Sequence, residues 1–516
     1  MRGIVYVYIF SAIALFVLLV ACVNFMNLTT AWSFNRSGEI GMRKALGALR
    51  RHVVVQFFGE SLFLTLYALG LALALVRLVL PEFNRFTGKE FTFHSICNWQ
   101  IVIGLMGITL LTGLIAGSYP ALYLSSFRPV HVLRKVVQAG RKRSAFRRAL
   151  VVLQFSLSAV LIIGTVVVYA QLDYIRNRNI GWERENLLSL PLSGETRKSF
   201  DMLKAELLKH PGVSSATAAY SEPTNFESSS GGVSWEGKNE EETVHVTLNL
   251  VDYDFLETLN IEMAQGRPFS REYPTDATQA FLINETLARM MGSGSPVGAR
   301  FSFIGREGRI VGVMKDFHFH SLRAGIGPLA LALGSDEYWR YALVRIRPDR
   351  ASSTLEDLSR LWERLFPNSP FAFRFMEDDY EGPYRSEARM GKLMNVFAGL
   401  AVFIACLGLL GLTSFAVEQR RKEIGIRKVL GASTPGIVAM FSKEFLKWVV
   451  ASNLIAWPIG YFVMRSWLRN FAYRTSLTVP MFLDAALAAL LVAAATVSLQ
   501  TYKAAAANPA DSIRYE

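Results

Sequence analysis

Charged and apolar residues recur together in one ten-residue stretch that the chain contains twice. The first copy runs from Glu39 to Ala48 and the second from Glu423 to Ala432, with eight of the ten positions identical. In each copy a glutamate precedes an arginine by four residues, and this order favours an ion pair along a helix. The spacing therefore predicts a short helix whose chemistry is non-covalent docking.

The candidate docking residues combine charge with an apolar anchor. They are Glu39, Arg43, Lys44 and Leu46 in the first copy, and Glu423, Arg427, Lys428 and Leu430 in the second. Met42, Ala45 and Leu46 fall on one helical face, and Gly47 and Gly431 stand where each helix would end. The alternative is a basic loop that only sets membrane topology, but topology requires positive charge and not this order of residues.

A carboxylate follows each copy at the same distance. Glu60 and Glu444 lie near the mouth of an apolar segment, where a carboxylate is costly and often functional. The alternative is an interface residue that reaches towards water, since Glu444 has Lys443 and Lys447 beside it. The sequence leaves both roles open.

Patterns for covalent chemistry are missing from the sequence. It has no Gly-x-x-x-x-Gly-Lys-Ser/Thr phosphate loop, so we expect that the chain does not hydrolyse ATP and holds no cofactor. The stretch closest to a metal site holds His318 and His320, with Asp316 nearby, because alternate residues of a strand share one face. No third or fourth ligand is evident, and we predict no metal site and no catalytic residue.

Long apolar segments must position these residues. The chain of 516 residues is 51% hydrophobic, with a mean hydropathy of +0.27, which is too apolar for an ordinary soluble protein. Its apolar runs approach the roughly 20 residues that cross a bilayer as a helix. We predict seven spans, at residues 5–31, 54–80, 100–124, 149–171, 393–417, 446–466 and 481–502.

The net charge of +13 orients these spans. Lys and Arg gather in the loops after the first, third and fifth spans, so we place those loops in the cytoplasm and expect no nucleic-acid partner. The N-terminus and residues 172–392 then lie outside the membrane, and the C-terminus lies inside. Two of the three cysteines, Cys22 and Cys406, lie within spans, so we expect no disulfide framework.

The polar insert at 172–392 has the size of a domain. Ser199–Lys209 and Leu355–Leu365 have the periodicity of amphipathic helices, and Val244–Leu250 and Tyr341–Ile346 alternate like strands. The predicted fold class is a polytopic α-helical membrane protein with an α+β extracytoplasmic domain.

The repeat extends beyond the ten-residue copies. Phe57 and Glu60 correspond to Phe441 and Glu444, and each unit consists of three spans with the basic helix after its first span. Units of matching orientation predict parallel halves related by an axis along the membrane normal. The predicted domains are a first permease unit at 1–135, a basic linker and span at 136–171, the outer domain at 172–392, and a second permease unit at 393–516.

These motifs resemble those of the FtsX/MacB superfamily of ABC transporter permeases, in its two-unit, Bacteroidetes-type form. The two Glu-Ile-Gly-x-Arg-Lys-x-Leu-Gly-Ala stretches carry the resemblance, which covers nearly the whole chain. Further stretches typical of the family lie at 147–156, 181–186, 266–269, 283–285 and 311–318.

The resemblance implies that the two copies are coupling helices, each seated in a groove of a separate ATPase subunit that binds the ATP. In that groove Leu46 and Leu430 would act as anchors, and acidic groups would be bound by the basic residues Arg43, Lys44, Arg427 and Lys428. It implies a permease of the inner membrane that passes ATP-driven motion to a periplasmic domain, for efflux or for lipoprotein or peptide export. The implied partners are this ATPase, membrane lipid, and a periplasmic adaptor, lipoprotein or peptide. Family members have four spans in each unit, so the first half here departs from the pattern, and we expect a truncated or late start.

Two alternatives stay open at this point. The same architecture could serve a signalling module that senses a peptide or controls a cell-wall hydrolase without transport. A membrane-anchored enzyme with its active site in 172–392 is the other alternative, and the lack of a recognisable nucleophile and base argues against it.

Overall fold

The structure, a computed structural model, covers most of the chain. It describes residues 2–35, 42–43, 46, 49–88, 90–96, 98–125, 140–226, 228–239, 241, 243–292 and 294–506. The chain forms two compact units. The first, the helical unit, comprises residues 1–169, 389–466 and 476–516, and the second, the α/β unit, comprises residues 170–388 and 467–475.

Long helices dominate the helical unit, and shorter ones belong to the α/β unit. In chain order the described helices are α1 (Arg2–Asn35), α2 (Arg50–Thr87), α3 (Phe93–Ile96), α4 (Trp99–Ser125), α5 (Gly140–Asn177), α6 (Gly194–Lys198), α7 (Phe200–Lys209), α8 (Phe255–Leu259), α9 (Asp276–Gln279), α10 (Glu285–Met290), α11 (Ala351–Leu365), α12 (Met376–Glu381), α13 (Arg385–Gln419), α14 (Arg421–Val429), α15 (Thr434–Leu468) and α16 (Val479–Ala506).

Every predicted span lies within one of these helices. Among the described residues, five segments are long and apolar enough to cross a membrane, namely Arg50–Arg85, Arg148–Asn177, Arg385–Gln419, Thr434–Leu468 and Val479–Lys503. The described apolar stretches of α1 and α4 are shorter, at Ser11–Met26 and Trp99–Ile115. The prediction of a polytopic helical membrane protein is confirmed, and the number of seven spans stays a prediction.

Small residues allow α4 to pack closely on α2. A Cβ atom added to Gly113 would lie 2.9 Å from Oγ1 of Thr65, and one added to Gly117 would lie 2.8 Å from Oγ of Ser61. Glycines four residues apart thus form the flat surface that membrane helices use for close contact.

Equivalent residues of the two repeat units meet in the helical unit. Each residue near the first copy has its counterpart 384 positions later, as Glu39 has Glu423, so Asn24 in α1 corresponds to Gly408 in α13. A Cβ atom added to Gly408 would lie 2.4 Å from Oδ1 of Asn24, and one added to Gly411 would contact the side chain of Leu28. Equivalent residues can meet only near the axis that relates the copies. The contact lies between α1 and α13, and the parallel arrangement of the halves stays a prediction.

A twelve-stranded mixed sheet organises the α/β unit. Its strands run in the order β12-β1-β11-β2-β5-β10-β7-β9-β8-β4, with β3 also paired to β5 and β6 to β9. Only the pairs β10–β5 and β7–β9 are parallel among the described strands. The strands are β1 (Leu187–Pro191), β2 (Val213–Ala219), β3 (Ser229–Ser230), β4 (Val233–Trp235), β5 (Val246–Val251), β6 (Met263–Gly266), β7 (Ala280–Asn284), β8 (Arg300–Phe303), β9 (Arg306–Met314), β10 (Leu329–Leu333), β11 (Tyr341–Ile346) and β12 (Arg374–Phe375).

Two apolar cores support this sheet, and the sequence patterns located parts of both. In one core, α7 and α11 pack Phe200, Leu203 and Trp362 against the β1, β2 and β11 strands. In the other, Phe281 and Phe301 pack between β7 and β8. The four predicted elements are present with small shifts at their ends, because apolar periodicity identifies the buried face of an element better than its boundaries. The α+β prediction is confirmed.

Candidate functional site

The second ten-residue copy forms helix α14, anchored by its inner face. Ile424 is buried there in a cluster with Val417, Ile437, Phe441 and Ala505. Nη2 of Arg427 lies 2.8 Å from Oε1 of Glu423, so the predicted ion pair is present. The helix ends at Val429, and Gly431 follows with a φ of +89°, which is the backbone conformation that glycine adopts readily after a helix. The predicted helix and its stop are confirmed in this copy.

The outer face of the same helix is apolar and exposed. Ile426, Val429 and Leu430 are 48%, 66% and 80% exposed, respectively. In the first copy the counterparts Met42 and Leu46 are 68% and 84% exposed. Single exposed apolar residues are common on proteins. Here they occupy the same positions in both copies.

The described basic residues of the two copies, Arg43, Arg427 and Lys428, have partners within the chain. Nζ of Lys428 donates a hydrogen bond to the backbone carbonyl of Ala505 at 2.6 Å, and Arg427 pairs with Glu423. In the first copy, Nη1 of Arg43 donates to Oε1 of Gln56 at 3.3 Å. Glu39 and Lys44 lie outside the described residues. The binding of acidic groups on a partner therefore stays a prediction, and the apolar residues are the part of the docking set that faces outward.

Both interface carboxylates connect to a basic segment. Oε2 of Glu444, on α15, accepts a hydrogen bond from Nη1 of Arg420 at 3.1 Å, and Arg420 immediately precedes α14. Oε1 of Glu60 accepts from Nε2 of Gln56 at 3.0 Å, and Gln56 in turn accepts from Arg43. Each carboxylate thus ties the helix that carries it to a docking segment, directly or through one amide.

With the ATPase that the family resemblance implies as partner, we expect Glu444→Gln to reduce coupling without reducing binding of that ATPase. The pair with Arg420 is half exposed, so its loss costs at most about 1 kcal/mol of stability, but it removes the charged link between α14 and α15. The measurement is the rate of ATP hydrolysis by the complex, compared with the amount of ATPase that copurifies. Lys443→Gln, on the neighbouring residue, is the control, and equal hydrolysis rates in both variants would contradict the expectation.

A second polar cluster lies in the α/β unit, where the segment 467–475 packs on residues 318–323. The backbone N–H of Ala472 donates to the carbonyl of Arg323, and that of Tyr473 donates to the carbonyl of Leu322, both at 3.2 Å. Gln171, which is completely buried, donates from Nε2 to the carbonyl of Tyr473 at 3.0 Å. Its Oε1 accepts from the backbone N–H of Thr475 at 2.7 Å. We call these contacts the loop joint.

Side chains reinforce the loop joint on both sides. The Arg178 guanidinium lies 4.5 Å from the ring centroid of Tyr473, and the His318 ring meets Tyr473 edge-on at 4.6 Å between centroids. Arg323 forms an ion pair with Glu387, which belongs to the first turn of α13. Sequence reasoning missed this cluster. The signal that could have indicated it is a glutamine near the outer end of an otherwise apolar span.

The histidine pair does not have the predicted arrangement. Strand β9 ends at Met314, so His318 and His320 are not alternate residues of one strand. Asp316 is fully occupied by hydrogen bonds to Asn284, Thr286 and Arg289. No group of three His, Cys, Asp or Glu side chains suited to a metal ion occurs among the described residues.

Burial and, secondarily, the nearby Arg178 lower the pKa of His318 to about 4, although Asp316 opposes this shift. In the unfolded chain the His318 imidazole takes up a proton near pH 6.5, whereas in the folded chain it does so only near pH 4. We expect stability to fall as the pH drops through this window, by about 3 kcal/mol in total. His318→Gln should remove that part of the slope, measured as urea midpoints at pH 4.5 and 7.5. Parallel slopes for both proteins would contradict this.

Comparison with known proteins identifies two families along the chain. The "FtsX-like permease C-terminal" family matches residues 11–129 and 395–509, and the "MacB-like periplasmic core domain" family matches residues 149–360. The uncharacterized ABC transporter permease YknZ of Bacillus subtilis is 21% identical over 291 residues, covering 55% of this chain and 73% of YknZ.

Proteins named as macrolide export ATP-binding/permease protein MacB are also similar. The one from Nitrobacter winogradskyi is 19% identical over 50% of this chain and 42% of its own length. The one from Bdellovibrio bacteriovorus is 32% identical over 24% of this chain and 18% of its own length. The chain thus spans less than half the length of these two relatives. The crystal structure of the periplasmic region of MacB from Actinobacillus actinomycetemcomitans superimposes with a TM-score of 0.30 and 17% identity, covering 40% of this chain and 97% of that one.

Proposed function

Because the chain belongs to the FtsX/MacB superfamily of ABC transporter permeases, we propose that it docks a separate ATPase through its two surface helices and passes ATP-driven motion to the α/β unit. The observation that carries this proposal is the outward apolar face that both copies share. An ATPase groove would cover Met42 and Leu46 in one copy and Ile426 and Leu430 in the other.

The internal repeat supports one permease chain for each pair of ATPase subunits. Two docking helices in one chain offer one helix to each ATPase, and the contact of Asn24 with Gly408 relates the halves by a local axis. A second permease chain is then not needed to complete the pair of docking sites.

The α/β unit is the proposed site of output. Its family, the MacB-like periplasmic core domain, favours a periplasmic location, and we place the chain in the inner membrane on that basis. Efflux, or export of a lipoprotein or peptide, is the leading task because the names of the MacB relatives describe export. YknZ is named as a permease, and we assign no reaction to the chain.

A signalling module is the second candidate function. A permease unit that drives only its outer domain needs no path for a substrate, and such a device could control a cell-wall hydrolase. Stable association with a hydrolase or a sensor kinase would favour signalling, and association with a periplasmic adaptor would favour export.

Copurification tests the proposal. The full chain, tagged and extracted from membranes in mild detergent, should bring down an ATPase with a phosphate-binding loop, at two ATPase copies for each permease chain. Its rate of ATP hydrolysis should change when the permease is reconstituted with it in lipid nanodiscs. An introduced cysteine in α14 that reacts with an impermeant thiol reagent outside intact cells would overturn the proposal, because the docking helices must face the cytoplasm.

A further inference from the structure

We infer that the loop joint is a mechanical input to the α/β unit, in addition to the covalent connections through α5 and α13. In this arrangement, movement of the α15–α16 pair displaces residues 318–323 directly. The inference rests on the proposed function in one respect, namely that the movement arises from the ATPase cycle.

The length and pairing of the connecting segment support a role beyond reversing the chain. Helix α15 ends at Leu468 and α16 begins at Val479. Antiparallel helices are commonly joined by about 2–8 residues, so the connection is longer than a simple turn requires. The extra length lets the segment form backbone hydrogen bonds to Leu322 and Arg323.

Gln171 fixes the position of the segment along the chain. Its amide nitrogen donates to the carbonyl of Tyr473, and its amide oxygen accepts from the N–H of Thr475. Both polar atoms of one buried amide therefore bind the same short segment. A shift of the segment by one residue would break both bonds and leave buried polar groups without partners. The segment 467–475 therefore resists sliding along its partners, as a connection that transmits movement must.

The loop joint also brings together the three segments that connect the α/β unit to the helical unit, namely α5, α13 and the segment between α15 and α16. Gln171 lies in α5 and Arg178 directly follows that helix, and both contact Tyr473 of the connecting segment. Tyr473 in turn binds Leu322, and Glu387 of α13 pairs with Arg323. The three segments are thus linked, directly or through Tyr473, to residues 318–323, which lie between the end of β9 and the start of β10. A displacement there reaches two central strands, whereas a displacement at a sheet edge would reach only one.

The first experiment tests the joint itself in the full chain. We expect Gln171→Leu to speed hydrogen exchange of the backbone at 471–475 by at least about tenfold, because Thr475 loses its acceptor and the segment opens locally. Exchange in β10 should not change. Arg474→Gln, an exposed position in the same segment, is the matched control. If Gln171→Leu yields too little folded protein, Gln171→Met keeps the side-chain length without the amide. Unchanged exchange at 471–475 would overturn the inference.

The second experiment tests the transmission of movement. In the test variant, four Gly and Ser residues are inserted after Ser476. This insertion leaves the contacts of the loop joint in place but makes the connection between the loop joint and α16 flexible. The control carries the same insertion after Gly237, in an exposed turn. In the complex with its ATPase, exchange at 318–323 should differ between nucleotide-free and vanadate-trapped states. We expect the insertion after Ser476 to at least halve this difference.

The outcomes separate the inference from the proposed function. An undiminished nucleotide response after insertion at Ser476 would overturn the mechanical role of the joint alone. If the wild-type chain shows no nucleotide response anywhere in 170–388, the proposed function fails and the mechanical role fails with it.

Discussion

Replacement of both Leu46 and Leu430 by glutamate is expected to abolish copurification of the ATPase. Both leucines are almost fully exposed, at the same position of the two copies. Burying a leucine in a partner's pocket contributes about 2 kcal/mol, so the loss of one such contact at each helix weakens binding at each of the two sites about thirtyfold. A carboxylate in each apolar pocket adds a desolvation penalty. The measurement is the amount of ATPase retained on the tagged permease, with each single variant expected to show an intermediate loss.

Two controls distinguish lost docking from damage to the helix. Leu208→Glu makes the same change at an exposed leucine of α7, in the α/β unit, and should retain the ATPase in full. Leu430→Lys places a favourable charge at the C-terminal end of α14, so it should preserve the helix and still weaken docking. Retention of the ATPase by the double variant would contradict the docking proposal.

The largest effect on stability is expected from Asp316→Ala. The Asp316 carboxylate accepts hydrogen bonds from Nδ2 of Asn284 at 2.8 Å, from the N–H and hydroxyl of Thr286 at 2.9 and 2.8 Å, and from Arg289 at 2.7 Å. Truncation leaves the N–H and hydroxyl of Thr286, at the start of α10, without this acceptor, and it removes one of the two bonds donated by Asn284 and one of the two donated by Arg289. We expect the free energy of unfolding of the α/β unit to fall by about 2–4 kcal/mol.

Urea unfolding of the full chain in detergent, followed by tryptophan fluorescence, measures this change. Asp349→Ala is the control because Asp349 is exposed and pairs only weakly with the adjacent Arg350. Its effect should stay within about 0.5 kcal/mol. Equal midpoints for the two variants would show that Asp316 does not hold β9 to α10.

Asp316 also shows why motifs alone were not enough. The stretches at 283–285 and 311–318 were identified from the sequence as typical of the family. Nothing in either stretch indicated that one supplies the acceptor for the other's donors. Likewise, the ion pair of Glu423 with Arg427 follows from helical spacing, whereas the bond from Lys428 to Ala505 joins residues 77 positions apart.

The sequence by itself determined the repeat, the apolar helices, the amphipathic helix of the second copy and the α+β character of the insert. Each of these depends on periodicity over a few turns or strand residues, which the local chain already contains. Only the tertiary structure decided which docking residues face outward, and that Gln171 binds a segment 302 positions away. Such contacts depend on the path of the whole chain through space, so the identity of the two partners does not reveal that they meet.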